Sequence, residues 1–227
     1  MTMEEKIQKI KEIVQKELSC SGHNMEHLDR VYNLCLHLAE GEPDVNLEVL
    51  QVSALMHDIA RVREDMDSSR NIDHAILGAE MAGDILLDFG YSEEFIESVK
   101  HAIFTHRFRN NNEPKTKEAK ILFDADKLDS LGSMGIARLF MFSGQHSTKM
   151  FLETPLDEYI KDNLMGGDPS GRIKEITIHA PNLEFEIKLK SMGDRLYTSK
   201  AKELAIGRIN FMEKFFNRME KEMKGDL

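Results

Sequence analysis

Cysteine is scarce in this chain. Cys20 and Cys35 are the two it has in 227 residues, and no CxxC spacing joins them. That excludes a disulfide scaffold and a cysteine-based zinc site as organising features. Cys35 lies among Leu34, Leu36 and Leu38 and reads as a small buried hydrophobe. Positive charge is also short. Thirty basic residues against 40 acidic ones leave a formal charge of -10 and a pI near 5.4. Such a balance argues against nucleic acid or an acidic membrane as partner. It leaves room for a small phosphorylated substrate, because a bound metal supplies local positive charge. No window approaches the ~18 uninterrupted apolar residues of a membrane span, and residues 1–6 carry no apolar signal region. A soluble, cytoplasmic protein is expected. Internal repeats and low-complexity tracts are missing. Gly166-Gly167 lacks the Lys and Ser/Thr of a phosphate-binding P-loop and reads as a turn.

Helical periodicity dominates what is present. Ile7, Ile10, Ile13, Val14 and Leu18 predict a helix over 4–18. Asn24 is placed to cap a second helix over 25–40, which Gly41 and Pro43 end. Residues 47–60 are apolar on most sides, the mark of a helix central to the core. The stretch 61–71 is polar and aperiodic and reads as a loop. Further helices are predicted over 73–88 (stopped by Gly90), 92–106 (capped by Ser92), 116–129 and 131–142. Beyond 145 the period changes. Ile176, Ile178 and Ala180 alternate, and so do Leu183, Phe185, Ile187 and Leu189 beyond Pro181-Asn182. That pattern predicts a β-hairpin over 173–189, followed by a long closing helix over 198–223. The domain reading is a helical core over 1–150 and an extension over 151–227 that packs on it through the hairpin and the closing helix.

Four polar residues stand where burial should be costly. His57 and Asp58 interrupt Ala54-Leu55-Met56-His57-Asp58-Ile59-Ala60, and Asp126 interrupts Phe123-Asp124-Ala125-Asp126-Lys127-Leu128-Asp129. His27 joins them as a candidate. A buried carboxylate costs several kcal/mol unless compensated, and one divalent cation compensates two carboxylates and two imidazoles together. Such a donor set suits Mn, Fe, Co, Ni or Zn, and Mg less well. Adjacent on an ideal helix, His57 and Asp58 would point ~100° apart. Both reach one ion only near a helix end, which the polar stretch after Ala60 supplies.

The ordered set His27, His57-Asp58, Asp126 resembles the HD superfamily of metal-dependent phosphohydrolases. The likeness runs over roughly 20–142. It includes Gly22-His23-Asn24-Met25-Glu26-His27-Leu28-Asp29-Arg30-Val31, His74-Ala75-Ile76-Leu77-Gly78-Ala79, His101-Ala102-Ile103-Phe104-Thr105-His106 and Asp124 to Gly132. It is closest to a microbial branch of small HD hydrolases, some of which act on nucleotides. The resemblance implies a mostly α fold, an HD-domain helical bundle carrying the small C-terminal hairpin as an insertion. The hairpin itself lies outside the family pattern. The resemblance also implies that His27, His57, Asp58 and Asp126 bind one metal. His74 and His101 match positions that serve a second metal in dinuclear relatives and line the phosphate site in mononuclear ones.

The implied activity is hydrolysis of a phosphate ester or anhydride, a nucleotide above all, by metal-activated water. Asp58, Lys127, His74 and His101 would carry the chemistry. A lysine beside a metal-bound phosphate stabilises negative charge. His23, Arg30, His106 and Arg107, with Arg109 nearby, are candidate substrate contacts. His106 reads equally well as a helix-terminal cation, and Asp73 as an N-cap. His37, His146 and His179 have no companion ligands. Two rival readings stand beside hydrolysis, a diiron oxygenase and a nucleotide or metal sensor without turnover. A homodimer is left open.

Overall fold

The computed structural model describes residues 2–18, 25–69, 71–107, 112–169 and 171–227. His23, the cap position Asn24, Cys20 and Arg109 lie outside the described residues. The chain divides into two compact units, Met1–Asp126 and Lys127–Leu227. No described helix is long and apolar enough to cross a membrane.

The first unit is built on α1 (Met3–Glu17), α2 (Met25–Ala39), α3 (Leu47–Met56), α4 (Arg61–Met66), α5 (His74–Asp88) and α6 (Glu93–Thr105). α7 (Lys117–Asp129) runs through the division. Several boundaries have a local cause. Thr2 and Glu5 close a capping box on α1. The Asn46 and Ser92 side chains accept from the backbone of Val49 and Phe95. Gly90 ends α5 at φ 73°, and its neighbour Tyr91 N–H reaches back to Leu86 O. α3 is the central element, packed by α1, α2 and α6. Val49, Leu50, Val52, Ala54, Leu55 and Met56 are all buried, as an all-round apolar helix requires. Residues 61–66 form α4 where a loop was expected. This helix has no apolar stripe to announce it, and it is held by charges three and four apart, Arg61 to Glu64 (3.1 Å) and Arg61 to Asp65 (3.4 Å).

The second unit carries α8 (Gly132–Gln145), α9 (Leu156–Asn163), α10 (Pro181–Glu184) and α11 (Ser199–Lys224). α11 packs on α8, and its Phe216 stacks on Phe185 at 5.2 Å between centroids. α9 was not foreseen.

The expected β-hairpin over 173–189 is not formed, and the described residues contain no β-strand. A single antiparallel bridge, Leu164 to Ile173, is the nearest approach. In the first arm, residues Ile176–Ile178 form a 3₁₀ turn in which Glu175 accepts from the Thr177 backbone and hydroxyl, and Ile178 is 51% exposed. In the second arm, Pro181 sits at the first position of α10, where its fixed φ favours a helix. The chain then stays helical, with a π-type turn, through Leu189. Buried positions are Phe185, Leu189, Met192 and Leu196, spaced four, three and four. That is the helical period, and it overrides the short alternation seen in 183–189. Lys188 to Glu184 (2.6 Å) and Lys190 to Glu186 (3.1 Å) add pairs that only a helix brings together.

His179 is buried in a polar network of this unit. Tyr159 Oη donates to His179 Nδ1 (2.6 Å), Asn163 Nδ2 donates to Tyr159 Oη (3.0 Å), and His179 Nε2 faces Glu184 Oε2 (3.4 Å). Burial alone would raise the Glu184 pKa. Lys188 and His179 outweigh it and hold the carboxyl well below the usual carboxylate range. Glu184→Ala is expected to cost about 1–3 kcal/mol, because it strands two partners of a largely buried group. The folded-state pKa is depressed, so this contribution is present above ~4.3 and is lost as pH falls below it. Urea midpoints at neutral pH and near pH 3.5 should therefore show a gap between wild type and variant that narrows in acid.

Candidate metal centre

α3 stops one residue before His57, and His57 to Ala60 form a tight turn with Ile59 N–H on Met56 O and Arg61 N–H on Asp58 O. That turn frees two adjacent side chains to converge, which an uninterrupted helix would forbid. His57 is fully buried and Asp58 is 5% exposed. His27 arrives from α2 and Asp126 from α7. His27 Nε2 lies 3.3 Å from His57 Nε2, 3.6 Å from Asp58 Oδ2 and 3.5 Å from Asp126 Oδ1. His57 Nε2 lies 3.8 Å from Asp58 Oδ2 and 4.0 Å from Asp126 Oδ1. His27, His57 and Asp58 bring ligand atoms close enough together to hold one divalent cation, and Asp126 Oδ1 lies within 4.0 Å of both imidazoles.

A second donor group uses the other oxygen of the same carboxylate. Asp58 Oδ1 is 3.3 Å from His74 Nε2 and 3.7 Å from His106 Nε2, and those two nitrogens are 3.1 Å apart. Asp58 thus stands between two sets of imidazoles, Oδ2 toward one and Oδ1 toward the other.

The protons are fixed by the outer partners. His57 Nδ1 is 2.8 Å from Ala54 O, His106 Nδ1 is 2.5 Å from Ile103 O, and His74 Nδ1 is 2.5 Å from Glu64 Oε2. Carbonyls and an ionised carboxylate only accept, so each Nδ1 carries the hydrogen and donates it; at His74 the 2.5 Å contact to Glu64 outweighs Arg61 Nη1, a donor 3.1 Å from the same nitrogen. Burial pushes all three imidazole pKa values below the ordinary histidine value, which favours the neutral rings. Each Nε2 therefore presents a bare lone pair to the centre. Burial raises the Asp58 pKa and positive charge on the surrounding imidazoles lowers it, so an ionised Asp58 beside these rings needs a positive charge among them. Lone pairs and a carboxylate facing one another, without a proton between His74 and His106, call for a cation.

The structure places His106, not His101, beside Asp58 and His74. His101 is half-buried and its Nε2 accepts from Lys115 N–H at 3.0 Å. The buried stripe of α6 runs Ile96, Val99, Ala102 and Ile103. His106 continues that stripe three residues on, past the last turn of α6, and His101 falls off it. Arg107, read as a substrate contact, is engaged by Glu64 Oε1 (2.8 Å) and Asp73 Oδ2 (2.9 Å). Asp73 caps α5 through Ala75 N–H. Arg30 lies one turn beyond His27 on α2, half-buried, and Lys127 follows Asp126 on α7, 7% exposed. Glu64, which reaches His74, escaped the sequence reading because its segment reads as a loop.

The model of the HD domain matches residues 24–131. YpgQ of Bacillus subtilis, an uncharacterized protein, is 32% identical over 209 residues, covering 90% of this chain and 86% of YpgQ. The crystal structure of YpgQ in complex with ADP aligns with a TM-score of 0.71 at 26% identity, over 98% of this chain and 97% of that one. An HD-superfamily hydrolase from Bacillus thuringiensis gives the same TM-score at 28% identity, over 98% and 99%. With the histidine–aspartate pair at the turn after α3, and with these relatives, the chain belongs to the HD superfamily.

Proposed function

We propose that this protein is a metal-dependent phosphohydrolase acting on a phosphate ester or anhydride of a nucleotide. The observation that carries the reading is the set of imidazole Nε2 atoms that converge on the buried carboxylate of Asp58. His27, His57, Asp58 and Asp126 would hold one divalent ion, and His74 and His106, sharing Asp58, would hold a second ion or the substrate's phosphate. When bound, such an ion supplies positive charge to phosphoryl oxygens and activates water near neutral pH. The chain's own residues do the rest. Nδ1 hydrogen bonds lock the orientation of His57, His74 and His106, and burial favours the neutral rings, ready to ligate. Lys127 is assigned to neutralising charge that develops on the phosphate. The ADP found in the YpgQ crystal supports a nucleotide as substrate class.

The test combines metal analysis of purified protein with hydrolysis of nucleoside mono-, di- and triphosphates in Mn, Co, Ni and Mg. Turnover should fall by at least about 10²-fold on chelation and return with one of these ions. Binding of nucleotides without hydrolysis in any metal would instead assign a sensor. A second reading, an iron-dependent oxygenase, is favoured by the position of Asp58 between two donor sets. Iron-dependent O₂ uptake without phosphate release would select it.

A further inference from the structure

We propose that Glu64 is a positioning residue for the His74–His106 side of the centre, held in place by Arg107. The inference rests on the reading above, that this side takes a cation. Glu64 Oε2 accepts from His74 Nδ1–H, which turns His74 Nε2 toward Asp58 Oδ1. The other oxygen, Oε1, is bound by Arg107 Nη1 at 2.8 Å, and the same nitrogen reaches Asp73 Oδ2 at 2.9 Å. Arg107 directly follows His106, and Asp73 directly precedes His74. One guanidinium therefore ties together the end of α6, the cap of α5 and the short helix α4, the three places that fix the two imidazoles. Arg61 Nη1, 3.1 Å from Glu64 Oε2, closes the carboxylate from the other side. The side chains of Glu64, Arg107 and His74 are 14%, 12% and 5% exposed, so little water competes for these bonds.

A carboxylate on the remote nitrogen of a ligating imidazole fixes ring orientation and raises its basicity, and its loss typically costs 10–100-fold in metal affinity. His57 and His106 use backbone carbonyls for the same purpose. His74 alone among these three depends on a side chain, and so can be tested by substitution.

The experiment is titration of the metal-free full chain with Co²⁺ alone, read by visible absorption and equilibrium dialysis, with circular dichroism to confirm folding. Wild type should bind two ions. Glu64→Ala should weaken one of them by about 10–100-fold and leave the other within about threefold. Glu64→Gln retains an acceptor for His74 Nδ1–H without the charge, and should fall between the two. If Glu64→Ala does not fold, Glu64→Gln decides alone. A selective loss at one ion supports the proposal, and wild-type affinities at both overturn it. Equal weakening of both ions in folded protein also overturns it, because that is what general loosening would give. A wild-type chain that holds one ion overturns the two-set reading itself.

Discussion

Asp58→Ala is expected to remove metal binding and turnover together. Asp58 faces both donor sets, since Oδ2 meets His27 and His57 while Oδ1 meets His74 and His106. Deleting it leaves imidazole lone pairs with one carboxylate, Asp126, on one side and none from Asp58 on the other. Several kcal/mol of charge stabilisation disappear, so a loss of turnover on the order of 10³-fold or more should follow. Asp58→Asn is the sharper form of the test. It keeps the shape and removes the charge, so a packing role would survive it and a ligand role would not. Inductively coupled plasma analysis of the dialysed variants, beside the nucleotide assay, reads both quantities. Metal retained at wild-type stoichiometry in Asp58→Asn would remove Asp58 from the centre.

Part of this arrangement was legible in the sequence. His57 and Asp58 sit in an apolar helix that has to end where they stand, and the structure ends α3 at Met56. His27 and Asp126 carry local contexts specific enough to be read without coordinates. The rest depended on information that local pattern does not hold. The choice between His101 and His106 turns on which histidine extends the stripe of Val99, Ala102 and Ile103 past the last turn of α6, where helix periodicity is easily cut short. Glu64 belongs to a six-residue helix with no buried residue of its own, so no hydrophobic signal marks it. Its place is set by charges on three separate elements, a tertiary fact.

The segment 173–189 was misread for a related reason, and its two rival patterns predict different mutational costs. A strand would put Phe185, Ile187 and Leu189 on one face, making their truncations comparable. The helical turn buries Phe185 completely and leaves Leu189 at 4%, while Ile187 is only partly buried at the edge of the cluster formed by Tyr159, Leu164, Ala180 and Leu183. Phe185 also stacks on Phe216 of α11, which lies in turn edge-on to Phe215 at 5.3 Å. Phe185→Ala should therefore cost about 3–5 kcal/mol, the range for emptying a fully buried aromatic site. Leu189→Ala should cost about 2–4 kcal/mol, and Ile187→Ala about 1 kcal/mol, since little of its cavity is enclosed. Urea titrations of the three variants rank them directly. Equal losses at 185 and 187 would restore the alternating pattern and remove the helix from this part of the chain.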